Sequence, residues 1–326
     1  MKKAALLYNP VSGPHGRGRT RAAVLERAVA VLRAGGVEAQ LVATRGPGTA
    51  ATQAMEMIAA GCDTIVVCGG DGTVNETLQQ MVEQQASAAL GVIPLGTGNA
   101  LATDLGIPRN PVRAARAMLE FAPRRIAVGR MEFLAGTPRT RYFVVTAGVG
   151  GDAHLLYHLN FEMKRRYGML AYYGRAFAML ASHDFPPFVV EFRENGRQRS
   201  ELVSQLMGVR IRFFPWPVNE LAPGASLERN DLRLVLFKTP RALAFLSYVT
   251  ARVCGFRHVP KEVELVHATE VMCRPAGEET AIAPKWRDEV RTDRIYAEAD
   301  GEPVGRIPVR ISAVPDALTL LAPRIS

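Results

Sequence analysis

The sequence predicts an α/β domain followed by an antiparallel, β-rich domain. In the first third of the chain, short apolar runs alternate with segments of helical periodicity, the pattern of a parallel sheet with helices on both faces. Beyond Arg125, strand-like runs succeed one another with turns such as Glu194-Asn195-Gly196 between them and few crossovers, the pattern of antiparallel sheets.

The first strand, 4–8, is an apolar run that stops at Asn9-Pro10. Helical periodicity over 20–32 ends at Gly35-Gly36, and 38–43 is a second strand. A helix over 50–60 ends at Gly61, and the β-branched run 64–68 breaks at Gly69-Gly70. A helix follows over 74–83, then a strand over 90–93 ending at Pro94. In the second part, strands are expected at 141–146, 187–193, 202–213, 231–237, 262–272, 292–299, 307–311 and 317–321, with helices near 152–181 and 240–253. The change of pattern divides the chain near residue 126 into an α/β domain and a β-rich domain.

Composition narrows the function classes. Of 326 residues, 48% are hydrophobic and 22% charged, which excludes disorder and allows large cores without staples. A net charge of +9 attracts polyanions, whether nucleotide phosphates, nucleic acid or an anionic membrane surface. Stacking aromatics among basic residues come nearest at Lys164-Arg165-Arg166-Tyr167 and Tyr172-Tyr173, which fit a plain solvated helix face at least as well as a helix lining a lipid pocket, so nucleic acid is not an expected partner. The four cysteines form no C-x-x-C pair, which fits a reducing compartment without zinc. His154 and His158 are spaced four apart, but Leu155 stands where a zinc protease needs glutamate, so both are read as structural. The N-terminal apolar run is too short for a signal peptide, and no run approaches a membrane span. The expectation is a cytoplasmic protein, at most peripheral to a membrane. A homodimer is compatible with this reading.

The chemistry concentrates in loops that follow strands. Gly69-Gly70-Asp71-Gly72-Thr73-Val74-Asn75-Glu76 follows a buried strand and opens a helix. Glycines allow close backbone approach, and a helix N-terminus presents free N–H groups, so phosphate binds there readily. A carboxylate in a phosphate loop makes sense when Mg²⁺ lies between them, which marks Asp71 as a metal ligand. The alternative is a tight turn in which Asp71 caps the helix. Asn9-Pro10-Val11-Ser12-Gly13 and Pro94-Leu95-Gly96-Thr97-Gly98-Asn99 follow other strands of the same sheet, and ligands of doubly wound sheets bind beyond the strands' carboxyl ends. Two other glycine-rich stretches are decoys. Gly13–Thr20 fits a P-loop except for Arg19 in place of lysine, and Gly148-Val149-Gly150-Gly151 has no crossover unit around it.

These three loops in this order, continued by Gly148-Val149-Gly150-Gly151-Asp152-Ala153 and Ala299-Asp300-Gly301-Glu302, resemble the catalytic domain of diacylglycerol kinases, which bacterial lipid kinases, sphingosine kinases and ceramide kinases share. The resemblance spans nearly the whole chain. It implies a three-layer α/β domain like that of NAD kinases and phosphofructokinases, a C-terminal antiparallel β-sandwich, and a cleft between them holding ATP with Mg²⁺; it also implies that the last strand returns to the first domain, which places the nucleotide-binding domain at 1–126 with 313–326 and the β-rich lipid-substrate domain at 127–312. It implies nucleotide contacts from Asn9 to Gly13, Thr44, Gly69 to Glu76, Gly96 and Thr97. Glu302 would be the catalytic base, with Asp300 beside it. The acceptor would be a hydroxyl of a membrane lipid: diacylglycerol, a sphingoid base, ceramide or monoacylglycerol. The residues alone leave open a kinase of a soluble substrate and a binding module without catalysis. The chain departs from the family in carrying Ala100, Ala127 and Arg229-Asn230 where acidic residues are usual, so the acidic network that holds a structural Mg²⁺ in some bacterial members is partly missing.

A membrane-facing helix is a further candidate, set against the alternative that its rings pack against a neighbouring loop and its arginines are simply solvated. Wound at about 100° per residue, 241–253 gathers Arg241, Phe245, Tyr248 and Arg252 in one arc, which suits an anionic headgroup layer. Ala242, Leu243, Leu246, Val249 and Val253 would then pack on the sheet.

Overall fold

A computed structural model describes residues 1–10, 18–151, 153–154, 185–277 and 295–324. The chain divides into two units, Met1–Val128 with Pro315–Ser326, and Gly129–Val314.

In the first unit, β1 (Lys3–Tyr8), β2 (Glu38–Ala43), β3 (Thr64–Gly69) and β4 (Ala89–Pro94) form a parallel sheet in the order β2-β1-β3-β4. Every residue of β3 and β4 is buried, as their unbroken apolar runs require of strands covered on both faces. The steps from β1 to β2 and from β2 to β3 run in opposite directions across the sheet. Right-handed crossovers therefore place α1 (Gly18–Ala34) on one face and α2 (Ala50–Ala59) and α3 (Asp71–Glu83) on the other. Accordingly α2 packs with α3, and α1 with α5 (Pro111–Met118). Periodicity does not announce α4 (Ala100–Asp104) or α5, which are too short for it. Local chemistry starts α5: Asn110 accepts from the amides of Val112 and Arg113, each at 3.1 Å, and Pro111 opens the first turn.

The second unit is an antiparallel sandwich. The remaining strands are β5 (Ala122–Phe133), β6 (Arg139–Phe143), β7 (Thr146–Gly150), β8 (Phe188–Glu194), β9 (Arg197–Val203), β10 (Gln205–Val209), β11 (Leu232–Phe237), β12 (Val263–Ala268), β13 (Glu270–Pro275), β14 (Tyr296–Ala299), β15 (Glu302–Arg306) and β16 (Val309–Ala322). One sheet runs β16-β13-β8-β9, with β5 joining β16 to β6; the other runs β12-β11-β10-β7-β14-β15. Alternate residues of both meet in one core, including Phe188, Val190 and Phe192 from β8 and Leu232, Leu234 and Leu236 from β11.

Three expected strands each turn out to be two. The stretch 202–213 divides at Ser204 into the end of β9 and β10, which belong to different sheets; 262–272 divides at Thr269 into β12 and β13; and 141–146 straddles β6 and β7. Apolar residues on both sides of each corner, such as Val203 with Leu206 and Ala268 with Val271, feed the same core. The hydrophobic pattern therefore runs through the bend without a break. Conversely, 307–311 and 317–321 belong to a single strand, β16. The expected helix over 152–181 lies outside the described residues apart from 153–154. His154 meets Phe185 edge-on and Tyr296 at a tilt, ring centroids 6.3 and 5.6 Å away, and His158 lies outside the described residues.

On the outer face of the second sheet, Met207, Val209, Val235 and Phe237 form a second cluster with α6 (Ala242–Val253) and the 214–225 segment. Val249 packs on this cluster as expected, but so do Phe245 and Tyr248 of the face expected outside. Tyr248 is fully buried and its hydroxyl donates to the Leu221 carbonyl at 2.6 Å. Arg252 is 5% exposed and donates to the carbonyls of Arg257 and His258. Leu243 and Val253, expected inside, are 71% and 39% exposed. Polar tips with partners inside the fold let Tyr and Arg take the buried face, which a count of apolar residues does not register.

A charge network joins the two sheets. Arg199 of β9 pairs with Glu194, Glu201 and Glu264 of β12, and Lys238 pairs with Glu201 and Glu264. Hydrogen bonds from Arg199 hold Glu264 below the usual glutamate range. For Glu201, burial pushes upward but Arg199 and Lys238 outweigh it, and it too lies low. A carboxylate lowered by folding stabilises the fold above its unfolded pKa, and that contribution is lost as pH falls through the folded value. The melting temperature measured between about pH 7 and pH 3 is therefore expected to hold until the glutamate range and then fall. Arg199→Met should make that acid limb shallower.

Candidate active site

The carboxyl ends of the four parallel strands are in register. Tyr8 pairs with Ala43 and with Cys68, Cys68 with Ile93, and Gly69 with Pro94. The segments beginning at Asn9, Thr44, Gly70 and Leu95 therefore leave the sheet at one edge. The strand order reverses between β1 and β3, where doubly wound sheets open a crevice. Pro10 is exposed there; Val11, Ser12 and Gly13 lie outside the described residues.

Two loops at this edge are locked together. A Cβ on Gly96 would come within 2.5 Å of the Gly70 Cα, so only glycine allows their backbones to touch. The Asp71 carboxylate crosses from one loop to the other: Oδ2 accepts from the Asn99 amide and Oδ1 from the Ala100 amide, both at 2.7 Å, at the start of α4. Asn99, at φ 59°, closes its own loop by accepting from the Gly96 amide and donating to the Gly96 carbonyl. Asp71 thus fastens the neighbouring loop rather than capping its own helix. Glu76 fastens a third element: its carboxylate accepts from the Ala50 amide at 2.7 Å and serves as the cap α2 lacks.

What remains open at this edge fits a nucleotide. The N-cap of α3 is Gly70, which brings no side chain to cap the first turn. Gly72, Gly96 and Thr97 are exposed and Thr73 half-buried, whereas Gly69, Val74 and Asn75 face inward. Thr44 Oγ1 is buried without a hydrogen-bond partner among the described residues, an orphan in the place where the resemblance puts a nucleotide contact. Mg²⁺ fits by one route. Among the described residues no cluster of three His, Cys, Asp or Glu side chains could cage a metal. Each Asp71 oxygen keeps a second lone pair, and Mg²⁺ is commonly held by one carboxylate together with phosphates and water.

The acceptor-side candidates are built in the second unit. Asp300 and Gly301, at φ 50° and 80°, form the two-residue turn between β14 and β15, the conformation Asp-Gly favours. The Asp300 carboxylate accepts from the amides of Val144, Val145 and Thr146 at 3.1, 2.9 and 3.0 Å. From the other side, Glu298 Oε2 accepts from the Gly301 amide at 2.7 Å. This double fastening sets the position of Glu302, the first residue of β15. Its side chain is 43% exposed and pairs with Arg141 of β6 at 2.5 Å. Beside the pair lies a cavity of about 360 Å³ lined by Phe133, Arg139, Thr140, Arg141, Glu302, Pro303 and Val304. Sequence reasoning missed Arg141, which has no distinguishing pattern. It also missed Glu298, whose signal was a charge inside the otherwise apolar Tyr296-Ala297-Glu298-Ala299 run.

The structural-metal position does not fit a cation. The Arg229 guanidinium grips the Asp231 carboxylate with Nε at 2.8 Å and Nη2 at 2.5 Å. Buried Arg210 donates to the carbonyls of Arg229 and Asp231, and burial pushes its pKa down to about 10. Burial raises Asp231, yet Arg229 and His267 outweigh it and hold it low. An internal guanidinium supplies the positive charge here, so a chelator is expected to leave the melting temperature of the nucleotide-free protein unchanged. A drop on chelation would count against this account.

Residues 3–131 match the family model of the diacylglycerol kinase catalytic domain. The chain is 31% identical over 257 residues to a diacylglycerol kinase of Bacillus subtilis (strain 168), covering 78% of this chain and 80% of that one. It is 30% identical over 254 residues to a diacylglycerol kinase of Staphylococcus aureus (strain MRSA252), covering 76% and 74%. Its fold matches a crystal structure of a putative diacylglycerol kinase from Bacillus anthracis str. Sterne, with a TM-score of 0.74 at 21% identity over 98% of this chain and 97% of the other. The chain belongs to the diacylglycerol kinase catalytic-domain family and is a kinase, a phosphotransferase acting on a lipid alcohol.

Proposed function

We propose that this protein transfers the γ-phosphoryl group of ATP, with Mg²⁺, to the free hydroxyl of diacylglycerol. The observation that carries the nucleotide half is the edge where four strand ends align, with its uncapped helix start and the orphaned Thr44 hydroxyl. There the phosphates would lie against Gly72, Thr73, Gly96 and Thr97, and Asp71 would hold Mg²⁺ while keeping its two loop amides. Phosphoryl transfer asks a protein mainly for alignment and charge neutralisation, which fixed amides and a metal provide. On the acceptor side, the proton of a lipid hydroxyl has to be accepted, and Glu302 is an outward-facing carboxylate on a turn fastened from both sides. Diacylglycerol is chosen over a sphingoid base, ceramide or monoacylglycerol because both curated relatives described above are named for it. Incubation of purified protein with γ-labelled ATP, Mg²⁺ and each lipid in mixed micelles tests this. Label in phosphatidic acid is expected; preferential label in another lipid reassigns the substrate, and label in none rejects the reading.

A further inference from the structure

The three most exposed large apolar side chains among the described residues are Trp216 at 92%, Leu243 at 71% and Phe256 at 65%, all in the second unit. Two of them are tips of segments anchored on one cluster. On either side of Trp216, Phe214 and Val218 pack into the cluster beneath α6, and the Phe214 amide donates to the Asn219 carbonyl to close the loop. Around Phe256, Val249 and Val259 pack into that same cluster, and buried Arg252 draws the carbonyls of Arg257 and His258 back against the helix. The Tyr248–Leu221 hydrogen bond ties the two segments together. Each loop thus buries smaller apolar neighbours and holds a large ring out in water, where it forgoes the stabilisation of burial.

We propose that the Trp216 and Phe256 loops are the surface by which this protein sits on a phospholipid bilayer; the proposal rests on the lipid-kinase reading above. The shape favours a bilayer over a protein partner. A protein interface is built on a packed apolar core, whereas rings held out singly on anchored loops suit a headgroup layer, where Trp is at home. Phe213, 37% exposed with the Arg212 guanidinium 4.8 Å from its ring centroid, borders the Trp216 tip, and Val253, 39% exposed, precedes Phe256. Charge is a secondary contribution. Arg212, Arg257, His258 and Lys261 are exposed, but Arg212 pairs with Glu220, and Glu262 lies beside Lys261. Apolar insertion therefore carries most of the affinity, and anionic lipid strengthens it modestly.

The sequence holds two tryptophans, Trp216 and Trp286, so Trp286→Phe leaves Trp216 as the sole reporter. Mixed with vesicles of phosphatidylcholine and phosphatidylglycerol carrying brominated acyl chains, without nucleotide, this variant should show blue-shifted, quenched emission; emission unchanged from that of the free protein overturns the proposal. In the chain retaining Trp286, Trp216→Ser with Phe256→Ser should lower partition onto unbrominated vesicles by roughly tenfold or more. The double variant should keep its melting temperature and its transfer to a short-chain, water-soluble diacylglycerol. Undiminished partition, or aromatic-dependent self-association in place of vesicle binding, overturns the proposal. The two readings fail separately. Quenching without lipid phosphorylation leaves the surface standing and removes the kinase assignment, and turnover of short-chain lipid without quenching does the reverse.

Discussion

Asp71→Asn is expected to abolish nearly all phosphoryl transfer, a loss of about 10²-fold or more, in a protein that still folds. The wild-type carboxylate accepts two amide hydrogens, from Asn99 and Ala100, and thereby sets the Gly96–Asn99 loop against Gly70. Asparagine keeps one acceptor oxygen and turns an NH₂ donor toward the other amide. Leaving that amide unmatched costs about 1–3 kcal/mol, and the charge that would hold Mg²⁺ is gone. Both effects converge on the nucleotide edge, so ATP affinity measured by calorimetry should fall along with kcat. A folded Asp71→Asn protein with wild-type turnover would remove Asp71 from both roles. Glu76→Gln separates fastening from chemistry: it retains an acceptor for the Ala50 amide and should lose far less.

Glu302→Gln should lower kcat by roughly 10²–10⁴-fold with little change in nucleotide affinity, because the acceptor-side carboxylate acts on the lipid hydroxyl. The side chain is part-exposed and held by Arg141, so its removal threatens the fold little. Asp300→Asn is the contrasting case. Its carboxylate accepts three successive backbone amides, and the variant should lose melting temperature as well as kcat, acting through the placement of Glu302. Arg141→Met should retain much of the activity, since it releases the Glu302 side chain from its ion pair while the turn stays fastened. If Glu302→Gln instead impaired ATP binding and spared turnover, the Asp-Gly turn would be structural alone.

The order of elements in the first unit is readable because each strand is a short apolar run ended by Gly, Pro or Asn, and each long helix has its own period. The sandwich was legible as a class but not strand by strand. Val203 and Leu206 lie on either side of a change of sheet, yet both enter one core, so pattern alone joins what the corner at Ser204 separates. The faces of α6 were legible only in part for a related reason: Tyr248 and Arg252 are buried because Leu221, Arg257 and His258 offer carbonyls to them, partners distant in sequence or placed by the fold.

By itself, then, the chain's order of residues determined the α/β and β-rich division, the glycine loops at strand ends, and the Asp-Gly-Glu turn. These depend on local backbone preference and on periodicity, which neighbours in sequence suffice to express. Only the tertiary structure decided what the charged residues hold. Asp71 reaches amides 28 and 29 positions away, Asp300 those 154 to 156 positions away, and Arg229 pairs within two residues where the sequence shows only that an acidic pair is missing. A carboxylate's role follows from which donors the fold delivers to its two oxygens, and that delivery is set by strand register and loop packing rather than by the residue's own type.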